Sequence, residues 1–271
     1  MESVISDIRE FIDEGFEREL FDSSISYLDN KSDPLRINSF AYSARELLRN
    51  VLSRLSPDEE VINCDLWFKI ETDNGKPTRK QRIQYAIHGG LPPEFVINEL
   101  SFDISDYWKE IKDSIDHLNK YTHVNEETFN APESVCNKVF TDVLSSLHTI
   151  FMQVKECRDE IKRILYGYID TELIDSFVSN SFSELDILSS GTCIDYTTLE
   201  DYEIVKITPT YIEIEGNGEL SATLNWGRGD DAASGSHECD YEFSCRAPVH
   251  EPKKLTIQAD DIAIDNSGWF E

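Results

Sequence analysis

Positive charge is scarce in this chain: its 271 residues carry 25 Lys and Arg against 53 Asp and Glu, a formal net charge of −28. Most of the surface must therefore repel nucleic acid and anionic membranes, and contact with a phosphate backbone requires a locally basic patch. Long apolar runs are missing too. None approaches the roughly 18–20 residues that span a bilayer, so no membrane segment is expected. The opening residues Met1–Asp7 are acidic and lack the basic-then-apolar order of a secretion signal, which points to the cytoplasm. Cysteines are few and scattered (64, 136, 157, 193, 239 and 245), with no Cys-x-x-Cys pair. Cys239 and Cys245, on one face of a strand, would stand about 20 Å apart, too far to bridge. The six read as buried free thiols in a reducing compartment. Gly-x-x-x-x-Gly-Lys-Ser/Thr, Gly-x-Gly-x-x-Gly and Gly-x-Ser-x-Gly are all absent, which leaves nucleotide-cradling loops and hydrolase elbows unsupported.

What is present divides by period. Residues 1–30 place Ile8, Phe11, Ile12, Phe16 and Leu20 at helical spacing and predict one or two amphipathic helices, ending at a breaker cluster around Pro34. Residues 38–55 predict a strong helix whose inward stripe is Phe40, Ala44, Leu47, Leu48, Val51, Leu52 and Leu55. Segment 63–93 reads as mostly irregular. In 107–123 the residues Trp108, Ile111, Ile115, Leu118 and Thr122 share one buried helix face. Residues 135–168 form the longest periodic segment: from Val143 to Tyr168 the apolar positions alternate steps of four and three, a heptad seam on a helix roughly 50 Å long. That seam packs within its own bundle or pairs with a second copy of the chain. After about residue 200 the period falls to two, and five strands are expected: 202–207, 210–215, 219–226, 239–246 and 255–264, with a tight hairpin turn at Asn217-Gly218. The expected fold class is α+β. It comprises a helical extension over 1–35, a helical bundle over 36–195, and a small antiparallel β-sandwich or barrel over 196–271.

The candidate chemistry lies in the helical part. Arg45 and Arg49 share a helix face, either to neutralise a phosphate or to pair with buried acids. Lys76, Arg79, Lys80 and Arg82 form a basic island without an acid, which either meets a phosphate backbone or pairs with the protein's own carboxylates. Asp116, Asn119, Lys120 and His123 fall on one line at a helix end. A histidine can both take and give a proton near neutrality, while an amide and an amine can hold a scissile phosphate. His123 there serves equally well as a structural cap on the helix dipole. Asp103, Asp106, Glu110 and Lys112 have the composition of a metal-nuclease set, but on a helix instead of the strands such sites use. No metal and no cofactor are expected.

Three runs carry a resemblance: Phe40–Arg49, Gly75–Ile83 and Leu118–Asn125. Together with Tyr211–Glu215, Gly218–Leu220 and Phe243–Cys245 they resemble the predicted nucleases associated with prokaryotic PIWI/Argonaute-like proteins in bacterial conflict systems. The helical half is similar to HEPN domains, bundles that often dimerise and cleave RNA through an Arg-x(4–6)-His motif. No arginine stands at that spacing before His123, so an inactive HEPN-like binding module fits as well. The resemblance implies a defence component acting as a metal-independent nuclease on RNA or single-stranded DNA. In that reading His123, Asn119 and Lys120 are catalytic, and Arg45, Arg49, Lys76, Arg79, Lys80 and Arg82 bind substrate. It also implies a protein partner from the same system, with nucleic acid bound through 76–82 and a homodimer through 143–168. The rival is a non-catalytic acidic subunit that binds and regulates a defence effector. After residue 195 the chain has 16 acids against 5 bases, a surface able to mask a basic protein.

Overall fold

The computed structural model describes residues 1–101 and 103–270, with the side chains of 104, 106, 107, 110, 114, 117 and 118 outside that description. Nine α-helices precede four strands among these residues: α1 (Glu2–Phe11), α2 (Phe16–Asp29), α3 (Arg36–Leu55), α4 (Asp58–Ile62), α5 (Arg79–His88), α6 (Pro93–Asn98), α7 (Ile104–Tyr121), α8 (Glu133–Ser179), α9 (Ser183–Asp186), β1 (Gly191–Ile207), β2 (Tyr211–Trp226), β3 (Ala233–Pro248) and β4 (Ile262–Asp265). The chain folds as two compact units, residues 1–89 with 93–157, and residues 90–92 with 158–271. The α+β class is as expected, helical first and antiparallel β afterwards. No helix is long and apolar enough to cross a membrane among the described residues.

The helical unit is built on α3. Phe40, Ala44, Leu47, Leu48, Val51 and Leu52 are buried, which is the stripe that the 3.6-residue period requires. Arg54 of α3 reaches both carboxylate oxygens of Glu17 on α2, at 3.1 and 2.9 Å, fastening these two helices together. Phe40 meets Phe140 of α8 edge-on, with ring centroids 4.9 Å apart, and Phe11 of α1 stacks on Phe151 at 4.6 Å. On α7, Ile111 and Ile115 are buried while Trp108 and Thr122 are half-buried, and the side chain of Leu118 lies outside the described residues.

Segment 63–93 is more regular than its turn signals suggest, because it contains α5. Thr78 caps that helix by accepting the Gln81 amide, and the Gln81 side chain accepts in turn from the Thr78 backbone N–H at 2.8 Å. This reciprocal box satisfies two orphan donors and starts a helix that has little apolar periodicity to announce it.

Helix α8 runs 47 residues, about 70 Å at the standard rise, well beyond 135–168. Val143, Leu147, Ile150, Val154, Cys157 and Ile161 of the expected seam are buried within the chain. Beyond Cys157 the buried positions step by four through Ile161, Leu165, Ile169, Leu173 and Phe177, which leaves Ile164 half-buried and Tyr168 exposed. A stripe at four-residue steps drifts around the helix, as it must where the partner becomes a twisted sheet. The seam is thus used internally, and a homodimer through 143–168 retains only its last two positions.

In the second unit the four strands form one sheet in the order β1-β2-β3-β4, not a sandwich or barrel. A single sheet suffices because α8 covers its inner face. Phe177 meets Tyr241 at 5.1 Å, the Tyr202 hydroxyl donates to the Lys162 carbonyl, and Lys162 pairs with Asp201 at 2.7 Å. Ile212, Ile214, Leu220, Ala222 and Leu224 of β2 point inward with Cys239, Tyr241, Phe243, Cys245 and Ala247 of β3, the period of two along each strand. Segments 210–215 and 219–226 are one unbroken strand: Asn217 pairs with Glu242 and Gly218 with Tyr241, with no turn between them. Of 255–264 only the end is strand, Ile262–Asp265. All six cysteines are free, and Cys193 is exposed, unlike the other five.

Candidate functional site

The helical unit carries a cleft of about 680 Å³ between α3, the turn leading into α4, α5 and α7. Arg45 and Arg49 line it from α3, Arg79 and Arg82 from α5, and Asn119 from α7. Its floor is apolar: Leu48, Leu52 and Ile115 are all buried. Helical spacing explains the α3 contribution, since residues four apart stand one above the other on a face. Arg79 and Arg82 sit in the first turn of α5, where the Thr78–Gln81 box fixes them.

Two carboxylates share the cleft, and sequence spacing had not singled out either. Glu46 places Oε1 3.3 Å from Arg45 Nη2 and Oε2 3.3 Å from Arg49 Nη1. Asp58, in the first turn of α4, contacts Arg82. Arg45 also lies over the ring of Tyr42, at 5.4 Å. Arg49 is three-quarters exposed despite its ion pair, and Arg79 has no ion-pair partner among the described residues. Four guanidinium groups face two carboxylates, so the lining is net positive in a chain of net charge −28. Each guanidinium offers five N–H donors in a planar fork, and one contact with Glu46 leaves most of them for an anion. Glu46 had a signal available: it lies between the two arginines in the run Arg45-Glu46-Leu47-Leu48-Arg49, three residues before the second.

The other candidate residues lie elsewhere. His123 is exposed, two residues beyond the end of α7, and it is not among the residues lining the cleft. Its backbone carbonyl is tied down, accepting from the Asn38 amide at 3.2 Å and the Thr128 hydroxyl at 3.1 Å. Lys120 pairs with Glu127 at 3.5 Å. Lys76 is exposed in the turn before α5, and Lys80 stands over the Trp108 ring at 5.8 Å. The structure therefore gathers Arg45, Arg49, Arg79, Arg82 and Asn119, and leaves Lys76, Lys80, Lys120 and His123 outside that lining. Of the metal-nuclease set, the side chains of Asp106 and Glu110 lie outside the described residues. Asp103 is held below the usual carboxylate range chiefly by the Ser105 backbone N–H, which donates to it at 2.8 Å.

Three of the buried thiols are poorly placed to act as nucleophiles. Burial pushes the thiols of Cys64 and Cys245 up to about 12 and that of Cys239 up to about 11, so all three stay protonated near neutrality. His88, buried beside Trp67, is pushed down to about 4 by desolvation and is neutral there.

A helical unit with an arginine-lined cleft, followed along the chain by a four-stranded β unit, defines an α+β protein with a net-positive cleft. Two family models, each described as a predicted pPIWI-associating nuclease, match this chain at residues 9–147 and 154–270. The chain belongs to that family. No curated protein and no solved structure matches it.

Proposed function

We propose that this protein is a cytoplasmic nuclease of a bacterial antiviral defence system. It draws a single strand of RNA or DNA across the arginine cleft and breaks a phosphodiester bond there without needing a metal ion. The observation that supports this most is the convergence of Arg45 and Arg49 with Arg79 and Arg82 on one cleft, in a chain with so few cations. Cations gathered against the overall charge mark where a phosphate backbone is tolerated. Asn119 adds an uncharged donor to the same lining, while Lys76 and Lys80 guide the strand from the exposed side of α5. If the helical unit is HEPN-like, His123 and Lys120 at the end of α7 are further candidates for proton transfer and phosphate contact. The family description adds association with a PIWI/Argonaute-like protein.

Incubating labelled single-stranded RNA and DNA with the wild type, an Arg45→Ala/Arg49→Ala variant and His123→Ala, with and without chelator, tests this. Wild-type cleavage that survives chelation and is lost in the arginine variant is the expected result. Equal products from wild type and arginine variant, or none from wild type on either nucleic acid, would remove the reading.

A second reading, a non-catalytic subunit that covers a basic effector surface, draws on the outer face of the sheet. Glu215 and Glu219 of β2 and Glu238, Asp240 and Glu242 of β3 are exposed there, with Glu219 directly opposite Asp240. Like charges across a ladder cost stability, a cost that an opposing basic surface would relieve. Under this reading, replacing these five carboxylates by amides abolishes binding to the partner, whereas emptying the cleft of arginines does not.

A further inference from the structure

We infer that Glu46 is the catalytic base of the cleft and that its substrate is RNA, whose own 2′-hydroxyl is the attacking group; this deepens the proposed nuclease reading and rests on it. Glu46 is four-fifths buried, yet both its carboxylate oxygens reach into the lining, one toward Arg45 and one toward Arg49, each at 3.3 Å. The Asn50 side chain donates to the Glu46 carbonyl at 2.7 Å within α3. A phosphate entering the cleft meets the unused N–H donors of the same two guanidinium groups that hold this carboxylate. The base and the scissile phosphorus are then fixed in one frame. A carboxylate cannot itself ligate a phosphate oxygen, because like charges repel, so its chemical use beside one is to take a proton. Asp58, the second carboxylate of the lining, is paired with Arg82 alone, whereas Glu46 stands between the two α3 arginines that would hold the phosphate.

The choice of RNA follows from the strength of the base. A carboxylate is a weak proton acceptor and works best on a nucleophile that needs no capture. The ribose 2′-hydroxyl is bonded next to the phosphorus and so acts at a very high effective concentration, whereas DNA lacks it. In the step, Glu46 takes the 2′-hydroxyl proton while the 2′-oxygen bonds to phosphorus. The bond from phosphorus to the 5′-oxygen breaks, and the leaving oxygen takes a proton from water. The hydroxide left behind is neutralised by the proton Glu46 then releases. The products are a 2′,3′-cyclic phosphate and a 5′-hydroxyl, with no net gain or loss of protons. Arg45 and Arg49 stabilise the charge that grows on the non-bridging oxygens.

The test compares wild type, Glu46→Gln and Glu46→Asp on one RNA, on the same RNA with a single 2′-deoxy residue at the cleavage position, and on the matching DNA. Product ends are read by mass spectrometry, strand binding by fluorescence anisotropy, and folding by thermal melting. The expected results are cyclic-phosphate ends and no cleavage at the deoxy position. Glu46→Gln should turn over roughly 10²- to 10⁴-fold more slowly, with folding intact and binding within a few-fold of wild type, and Glu46→Asp should recover part of the rate. Cleavage of RNA or DNA by Glu46→Gln at the wild-type rate, cleavage at the deoxy position, or 5′-phosphate ends would overturn the assignment of Glu46 and leave the arginine cleft standing. A wild type that neither binds nor cleaves any strand would overturn both.

Discussion

Gly218 of β2 pairs with Tyr241 of β3, and the phenol lies over the glycine so closely that a β-carbon there would stand 2.5 Å from the hydroxyl oxygen and 2.1 Å from the Thr198 carbonyl oxygen. The same hydroxyl donates to that carbonyl at 3.1 Å, closing β1 over β2. Gly218→Ala must therefore displace a buried ring and break a buried hydrogen bond, at a cost of about 2–4 kcal/mol. Urea denaturation measures it. A variant within about 0.5 kcal/mol of wild type would mean that the sheet can open around residue 218 without loss.

This glycine also shows where the sequence misleads. Asn-Gly between two alternating runs is a strong hairpin signal, but here the glycine makes room for an aromatic ring on the neighbouring strand. Nothing local distinguishes the two uses. The period of two in β2 and β3 was legible because one face of each strand is buried throughout, and the 3.6-residue stripe of α3 was legible for the same reason. The α8 seam was readable to Ile161 and then changed step as its partner became a sheet, which is a tertiary fact. Helix α5 had too few apolar residues for its period to show, although Thr78 and Gln81 had the spacing of a capping box. Each arginine of the cleft was visible as a charge. Their convergence with Asn119, and the exclusion of His123, depend on how α3, α5 and α7 pack.

Thr78→Ala removes the hydroxyl that accepts the Gln81 amide and should destabilise the helical unit by about 1 kcal/mol. Because Arg79 and Arg82 stand in the turn that this cap holds, strand binding should weaken as well. Chemical denaturation and anisotropy on the same variant check both. Stability lost with affinity unchanged would show that the arginines do not depend on the cap.

His88 makes stability depend on pH. Its ring lies edge-on to Trp67, 5.7 Å away, and its Nδ1 has no hydrogen-bond partner among the described residues. Desolvation lowers it from 6.5 to about 4 in the folded chain. The unfolded chain therefore binds the extra proton first as pH falls. The contribution is full above about 6.5 and is lost progressively down to about 4, amounting to about 2 kcal/mol between pH 7 and pH 5. A His88→Leu variant should lose that much less stability over the same interval. Parallel pH profiles for the two proteins would contradict it.

Salt dependence separates the cleft from the basic island as the place where a strand binds. Every phosphate neutralised on a single strand adds about 0.7 to the steepness with which log affinity falls against log salt. If the strand lies in the cleft, Arg45→Ala, Arg49→Ala and Arg79→Ala should each flatten that line by about one contact and weaken binding for every sequence alike. Lys76→Ala should flatten it less than any of these three, since Lys76 guides the strand from outside the lining. Arg82→Ala should act less than Arg79→Ala, because Asp58 already holds Arg82 while Arg79 has no carboxylate among the described residues. Anisotropy titrations from 50 to 300 mM salt would give each slope. If Lys76 and Arg79 variants flatten the line equally while Arg45 and Arg49 variants leave it unchanged, the strand follows the outside of α5 and the cleft must serve another ligand.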